Sequence, residues 1–256
     1  MTFESNGFTS KRPFVTSGKL LLLTGALLLA GAGLRFTSSV AAESAVKIPP
    51  PAADIAAGTQ AAQEKAVFAG GCFWGVQAVF QHTKGVLQAV SGYAGGKKES
   101  ADYERVSSGT TGHAESVEIT FDPKQISYGK LLQIYFSVAH DPTQLNQQYP
   151  DSGTQYRSAV FYRDANQKQV AERYIAQLDA AHLFSGKIVT QLSPLTAFYP
   201  AEAYHQDYAT LHPESGYIAR YDLPKIANLK STLPELYREV PVLVASQASA
   251  KVTNRK

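Results

Sequence analysis

The chain has 256 residues, 44% of them hydrophobic and 18% charged, values that fit one folded domain with a sizeable core. A formal net charge of +3, with no arginine-rich cluster interleaved with aromatics, argues against a nucleic-acid partner. A single cysteine excludes any intrachain disulfide and any zinc site built on paired cysteines.

Residues 1–42 read as a secretory signal. Lys11, Arg12 and Lys19 flank an apolar run from Leu20 to Leu34, and Val40-Ala41-Ala42 offers small residues for cleavage after Ala42. The run is short of the roughly 20 apolar residues a membrane span needs. Export to the periplasm is therefore expected, with an uncleaved anchor in the inner membrane as the alternative. Residues 43–63 are alanine-rich, contain Pro49-Pro50-Pro51 and read as a disordered linker, so the folded domain is expected over 64–239.

Lys65 to Ala69 is a short strand by composition, ended by Gly70-Gly71. Beyond Cys72, the apolar residues Phe73, Val76, Val79 and Phe80 recur at helical spacing. Cys72 thus falls where a strand turns into a helix, and the free N–H groups and dipole of a helix start favour a thiolate. A lowered thiol pKa and a nucleophilic role follow from that setting. The competing reading is an inert buried cysteine; the glycines around Cys72 favour chemistry.

His82 to Gly85 is a turn, and Val86 to Tyr93 a strand closed by Gly95-Gly96. A polar loop over 102–111 carries Tyr103. In the strand Ala114 to Phe121, alternation puts Glu115 on one face with Val117, Ile119 and Phe121, and Glu118 on the other. Ser127 caps a helix running to about Ala139. After a long loop over 141–155 come a strand from Tyr156 to Tyr162 and a helix opened by Asp164, with Gln167 three residues on. Ile188 to Leu192 reads as a strand and Pro200 to Leu211 as a helix. Residues 240–256 form a polar, basic tail. Helices packed on a mixed or antiparallel sheet make an α+β domain.

Glu115 on an apolar face is a carboxyl whose charged form is disfavoured, so it can keep a proton near neutral pH and donate it. Tyr103 and Tyr156 can donate hydrogen bonds to an oxygen, or can be ordinary packing tyrosines. The 14 tyrosines and 12 phenylalanines suit a pocket for a small polar group on an apolar ligand.

Five motifs then stand in order: Gly71-Cys72-Phe73-Trp74-Gly75, Gly92-Tyr93-Ala94-Gly95-Gly96, Gly109-Thr110-Thr111-Gly112-His113-Ala114-Glu115, His140-Asp141-Pro142-Thr143 and Gly153-Thr154-Gln155-Tyr156-Arg157-Ser158. Together they closely resemble the A-type peptide methionine sulfoxide reductases, over about Ala66 to Leu229 and including Ala201-Glu202-Ala203-Tyr204-His205-Gln206. The resemblance implies a ferredoxin-like α/β sandwich and the reduction of methionine-S-sulfoxide in oxidised proteins and peptides. It implies that Cys72 attacks the sulfoxide sulfur and becomes a sulfenic acid. Glu115 protonates the oxygen with help from Tyr103 and Tyr156, Asp151 supports the later reduction, and Phe73 and Trp74 receive the methyl group. No bound cofactor and no metal are implied. Many relatives carry resolving cysteines in the tail, which Pro213 to Lys256 lacks, so an external thiol is expected as reductant: a thioredoxin-like protein or a small thiol. Many relatives also have glycine where Tyr149 stands, and some have glutamate where Gln77 stands. A monomer is expected.

Two other classes fit fewer residues. A cysteine hydrolase would pair Cys72 with His113, which alternation places on the face opposite Glu115. A non-catalytic peptide-binding domain would keep only the apolar slot. Glu202 and His205 have the spacing of half a helical metal site with no second half, and His140 reads as a loop-ordering residue.

Overall fold

Strand β1 (Glu64–Ala69) runs up to Gly70-Gly71, and helix α1 (Phe73–Gln81) begins directly beyond Cys72. These come from a computed structural model that describes residues 43–55 and 62–244. Gly85, at φ +83°, turns the chain into β2 (Val86–Ala94). The short helix α2 (Tyr103–Val106) precedes β3 (Ala114–Phe121), which inserts between β1 and β2 and is antiparallel to both. Helix α3 (Tyr128–Ile134) continues as a π-turn over Tyr135–Ala139. A small hairpin of β4 (Gln147–Gln148) and β5 (Asp151–Ser152) leads to β6 (Ala159–Tyr162), antiparallel to β1. Helix α4 (Ala165–Ala181), β7 (Gln191–Pro194) and β8 (Phe198–Pro200) follow. The chain closes with α5 (Tyr208–Leu211), a π-turn over Ile218–Asp222 and α6 (Leu223–Thr232).

The sheet order is β7-β6-β1-β3-β2-β8, with β6 and β7 parallel. Its central order β6-β1-β3-β2, with α1 joining β1 to β2 and α3 between β3 and β6, is the split βαβ arrangement of ferredoxin-like folds; α4 follows β6. Alternation decides what each strand buries. Phe68, Val117 and Ile119 join Val76, Val79 and Phe80 of α1, Leu131 of α3 and Tyr174 and Leu178 of α4 in the main core. Phe68 packs against Phe80 and Tyr135 at ring distances of 5.7 and 4.9 Å. Each such burial contributes about 1.5–3 kcal/mol. The opposite face carries a smaller core with Val67, Ala69, Ala114, Ala159 and Phe161.

Ser127 and Asp164 cap their helices as expected: Ser127 accepts from the Lys130 N–H, and Asp164 from those of Asn166 and Gln167. The strand expected over 188–192 forms over 191–194 instead. The helix expected from Pro200 to Leu211 is broken into a 3₁₀ turn (Ala203–His205) and α5, because Asp207 sits at φ +60°. Its N–H donates to Gln77 Oε1, and its carboxylate accepts from Gln81 Nε2, so tertiary hydrogen bonds win over helix continuity.

The linker expected over 43–63 is corrected for its described part, 43–55. Val46 N–H donates to the Ser137 carbonyl, Gln133 Nε2 to that of Ile48 and Tyr174 OH to that of Pro49. Ile48 is 5% exposed. One isoleucine and a few backbone carbonyls tie the strap down, which composition does not register. The tail is held as far as Val244, whose N–H donates to Asp207 Oδ1. The signal expected over 1–42 and the tail beyond Val244 lie outside the described residues.

Candidate active site

Both glycines before Cys72 are structural necessities. A Cβ on Gly70 would stand 2.9 Å from His140 Cγ; Gly71 has φ +88°, and a Cβ there would stand 2.5 Å from Gln148 Cγ. The chain can therefore bend sharply from β1 and deliver Cys72 to the N-cap of α1, where it is 8% exposed.

Glu115 comes to the same point from β3. It is 2% exposed, and its Oε2 accepts the Phe73 N–H at 3.0 Å. The acid is thus bonded to the residue that follows the nucleophile. Burial pushes the Glu115 carboxyl up to about 8; the Phe73 N–H opposes this, and the charges of Asp151 and Asp222 reinforce it. Glu115 carries a proton at neutral pH, as its place on the apolar strand face predicts.

That proton has a thermodynamic signature. Between the ordinary carboxylate value and about pH 8, the folded state keeps a proton that the unfolded state releases, so Glu115 lowers stability as pH rises. Glu115→Gln removes this contribution. The unfolding free energy of the variant relative to the parent is expected to increase by about 1.4 kcal/mol per pH unit across that window. Urea titrations at several pH values check this; a difference independent of pH would place an ionised carboxylate at Glu115.

Tyr103 stands at the start of α2, with its N–H donating to Glu202 Oε1 at 3.0 Å and its ring 4.6 Å from that of His205. Tyr156 closes the 3₁₀ turn that follows Gly153. Burial raises both phenols, and the charges of Glu115, Cys72 and Asp151 raise them further, so both remain hydrogen-bond donors. Asp151, on β5, accepts a hydrogen bond from Tyr217 OH; burial raises its carboxyl too. Cys72, Glu115, Tyr103, Tyr156, Asp151 and Tyr217 thus form one cluster drawn from β1–α1, α2, β3, β5 and the C-terminal segment.

Phe73 is 1% exposed and packs on Tyr93 and His205 at ring distances of 5.9 and 5.0 Å. Its ring is enclosed by these neighbours. Trp74 is only half-buried, stacks on Tyr208 at 4.0 Å and meets Tyr217 edge-on at 6.0 Å, while its Nε1 donates to His205 Nδ1. Tyr208 and Tyr217 were not anticipated. Nothing in their local pattern ties them to Cys72, more than a hundred residues earlier.

The thiol itself corrects an expectation. The helix start predicts a lowered pKa, yet burial pushes the Cys72 thiol well up. The charges of Glu115, Asp222 and Asp151 push in the same direction, against the Trp74 N–H. Desolvation and an acidic surrounding outweigh one helix terminus.

His113 and His140 are committed elsewhere, whereas His205 packs against the site. The two ring nitrogens of His113 lie 3.2 Å from the Gly96 N–H and 2.9 Å from the Lys97 carbonyl. Those of His140 meet the Tyr135 carbonyl and Ser158 Oγ, and burial holds its ring down to about 3, neutral at physiological pH. His205 lies 3.9 Å from Glu202. Among the described residues, no group of three or more histidine, cysteine, aspartate and glutamate side chains could hold a metal ion.

A family model for peptide methionine sulfoxide reductase matches residues 64–235. The chain is 62% identical over 186 residues to a peptide methionine sulfoxide reductase, MsrA 2, of Mesorhizobium japonicum, covering 73% of this chain and 95% of that one. It is 51% identical over 185 residues to the MsrA 2 of Synechocystis, covering 72% and 86%. Among solved structures, Mxr1 of Saccharomyces cerevisiae in reduced form aligns with a TM-score of 0.57 and 32% identity, over 62% of this chain and 91% of that one. Methionine sulfoxide reductase A of Corynebacterium diphtheriae aligns with a TM-score of 0.52 and 32% identity, over 70% and 92%. The family match spans the strands and helices that bring Cys72 to Glu115, and the chain belongs to the peptide methionine sulfoxide reductase family.

Proposed function

We propose that this chain reduces methionine-S-sulfoxide, free or within oxidised proteins, to methionine, using Cys72 as nucleophile, Glu115 as acid and an external thiol as reductant. The observation that carries the reading is the hydrogen bond from the Phe73 N–H to Glu115, which sets a protonated carboxyl one residue from the thiol. Cys72 sulfur attacks the sulfoxide sulfur, and Glu115 gives its proton to the oxygen as negative charge develops there. The oxygen passes to Cys72, the thioether of methionine leaves, and the proton from the original thiol restores Glu115. The substrate sulfur gains two electrons and Cys72 loses two, ending as a sulfenic acid. Tyr103 and Tyr156 hold the oxygen in place with hydrogen bonds, and Trp74 covers the methyl group.

With one cysteine in the chain, recycling uses two external thiols. The first condenses with the sulfenic acid, releasing water and leaving a mixed disulfide. The second cleaves that disulfide, returning Cys72 to the thiol. Either a thioredoxin-like protein or a small thiol acts, with Asp151, which accepts a hydrogen bond from Tyr217, assisting this step. Neither His113 nitrogen is free to serve as the base of a cysteine hydrolase. Mixing the purified protein with methionine-S-sulfoxide and dithiothreitol tests the reading: methionine is expected, and its absence would overturn the assignment.

Export with cleavage after Ala42 belongs to the same proposal, supported by the basic flank and apolar run of the first 42 residues. The enzyme then repairs proteins of the cell envelope, as a monomer. Mass spectrometry of the native protein is expected to find an N-terminus at Glu43; one at Met1 or Thr2 rejects cleavage.

A further inference from the structure

We propose that Asp222, paired with Lys225, is a positioning residue for Cys72, whose buried carboxylate beneath the first turn of α1 restrains the resting thiol from ionising. The proposal rests on Cys72 being the reacting thiol of the function above.

Asp222 ends the π-turn before α6, is 0% exposed, and has no hydrogen-bond partner at either carboxylate oxygen. Lys225 Nζ, itself buried, stands 3.7 Å from Oδ1, which makes an ion pair without a hydrogen bond. A carboxylate so buried and so loosely paired is costly, and stability alone gives it no reason to be there. Its location supplies one. A Cβ on Gly75 would stand 2.1 Å from Asp222 Oδ1, so the carboxylate fills the space a side chain would take. Gly75 lies in the first turn of α1, three residues beyond the Cys72 N-cap. Asp222 therefore faces the helix end whose dipole would favour a thiolate, and opposes it.

Several other charged and titratable groups face the thiol. Glu115 approaches from β3, Asp151 from β5, Tyr103 from α2, Tyr156 from the turn after β5 and Tyr217 from the segment before the π-turn. Glu115 holds its own proton at neutral pH, whereas burial raises the Asp222 carboxyl only to about 6, against the pull of Lys225, so Asp222 is ionised there. Asp151 and Asp222 remain as charges near the thiol; of the two, Asp222 is the fully buried one and is set against the first turn of α1. A chain with one cysteine has no internal thiol to rescue it, and a thiol kept protonated is a poor target for stray oxidants.

Alkylation of Cys72 by iodoacetamide, followed by intact mass across pH on the full chain without sulfoxide, tests this. The thiolate displaces iodide and forms a thioether, while the thiol proton goes to solvent. In the parent, the midpoint is expected above the free-cysteine value of about 8.5; a midpoint below it overturns the proposal. In Asp222→Asn the midpoint is expected to move to lower pH by about one unit or more. That raises the thiolate fraction at neutral pH about tenfold, and the alkylation rate about threefold once the weaker nucleophilicity of a more acidic thiol is counted. The double variant Asp222→Asn/Lys225→Met removes both charges, leaves no stranded ammonium and is expected to shift the same way. An unmoved or more alkaline midpoint in the folded variants assigns Asp222 to packing alone. Sulfoxide turnover is not part of the readout, so failure here leaves the reductase reading standing. Loss of sulfoxide reduction with an intact acid shift would fault that reading instead.

Discussion

Cys72→Ser is expected to abolish methionine formation while leaving the fold intact. No other thiol exists in the chain to take over. A serine hydroxyl stays protonated at neutral pH and cannot become a sulfenic acid, so both the attack and the oxygen transfer fail. Removal of a covalent nucleophile costs far more than about 10²-fold in turnover. The substitution suits the site sterically: serine is slightly smaller, and at the N-cap of α1 its oxygen can accept from an N–H of the first turn. The stability change should therefore stay within about 1 kcal/mol, readable in thermal melts. Turnover above a percent or so of the parent would remove Cys72 from the mechanism.

Glu115→Gln is expected to slow sulfenic acid formation by about 10²-fold or more. The amide oxygen of glutamine can still accept the Phe73 N–H, so the side chain keeps its place while losing its proton. The loss should fall on the single-turnover rate rather than on substrate affinity, because the proton is needed where charge develops on the sulfoxide oxygen. A single-turnover rate unchanged by the substitution would reject Glu115 as the acid.

Much of this site was legible because its signals are local. Gly70-Gly71 announces a close approach and an unusual backbone angle, and Gly71 at φ +88° meets both. Alternation over eight residues is enough to put Glu115 inward with Val117, Ile119 and Phe121. Ser127 and Asp164 cap helices through bonds that span two or three residues. The features that escaped depend on contacts far apart in the chain. The strap over 43–55 is held by side chains of α4 and of the segment around α3. The break at Asp207 is made by Gln77 and Gln81 of α1. The ionisation of Cys72 illustrates the point best. Its local setting, a helix start, argues for a thiolate, whereas burial beneath distant stretches of the chain, reinforced by Glu115, Asp222 and Asp151, decides the opposite. Periodicity says which face a residue takes, but not which charges will meet across it.

The central claim is that the sulfoxide oxygen is transferred to Cys72. Reduced protein mixed with excess methionine-S-sulfoxide and no thiol, then quenched in acid, gives two readings at once: methionine released per chain, and the intact mass of the protein. One methionine per chain and a single added oxygen, mapped to Cys72, is the result expected of a lone-cysteine reductase. A Cys72–Cys72 disulfide between two chains as the dominant product, or methionine released beyond one per chain with no thiol present, would contradict it.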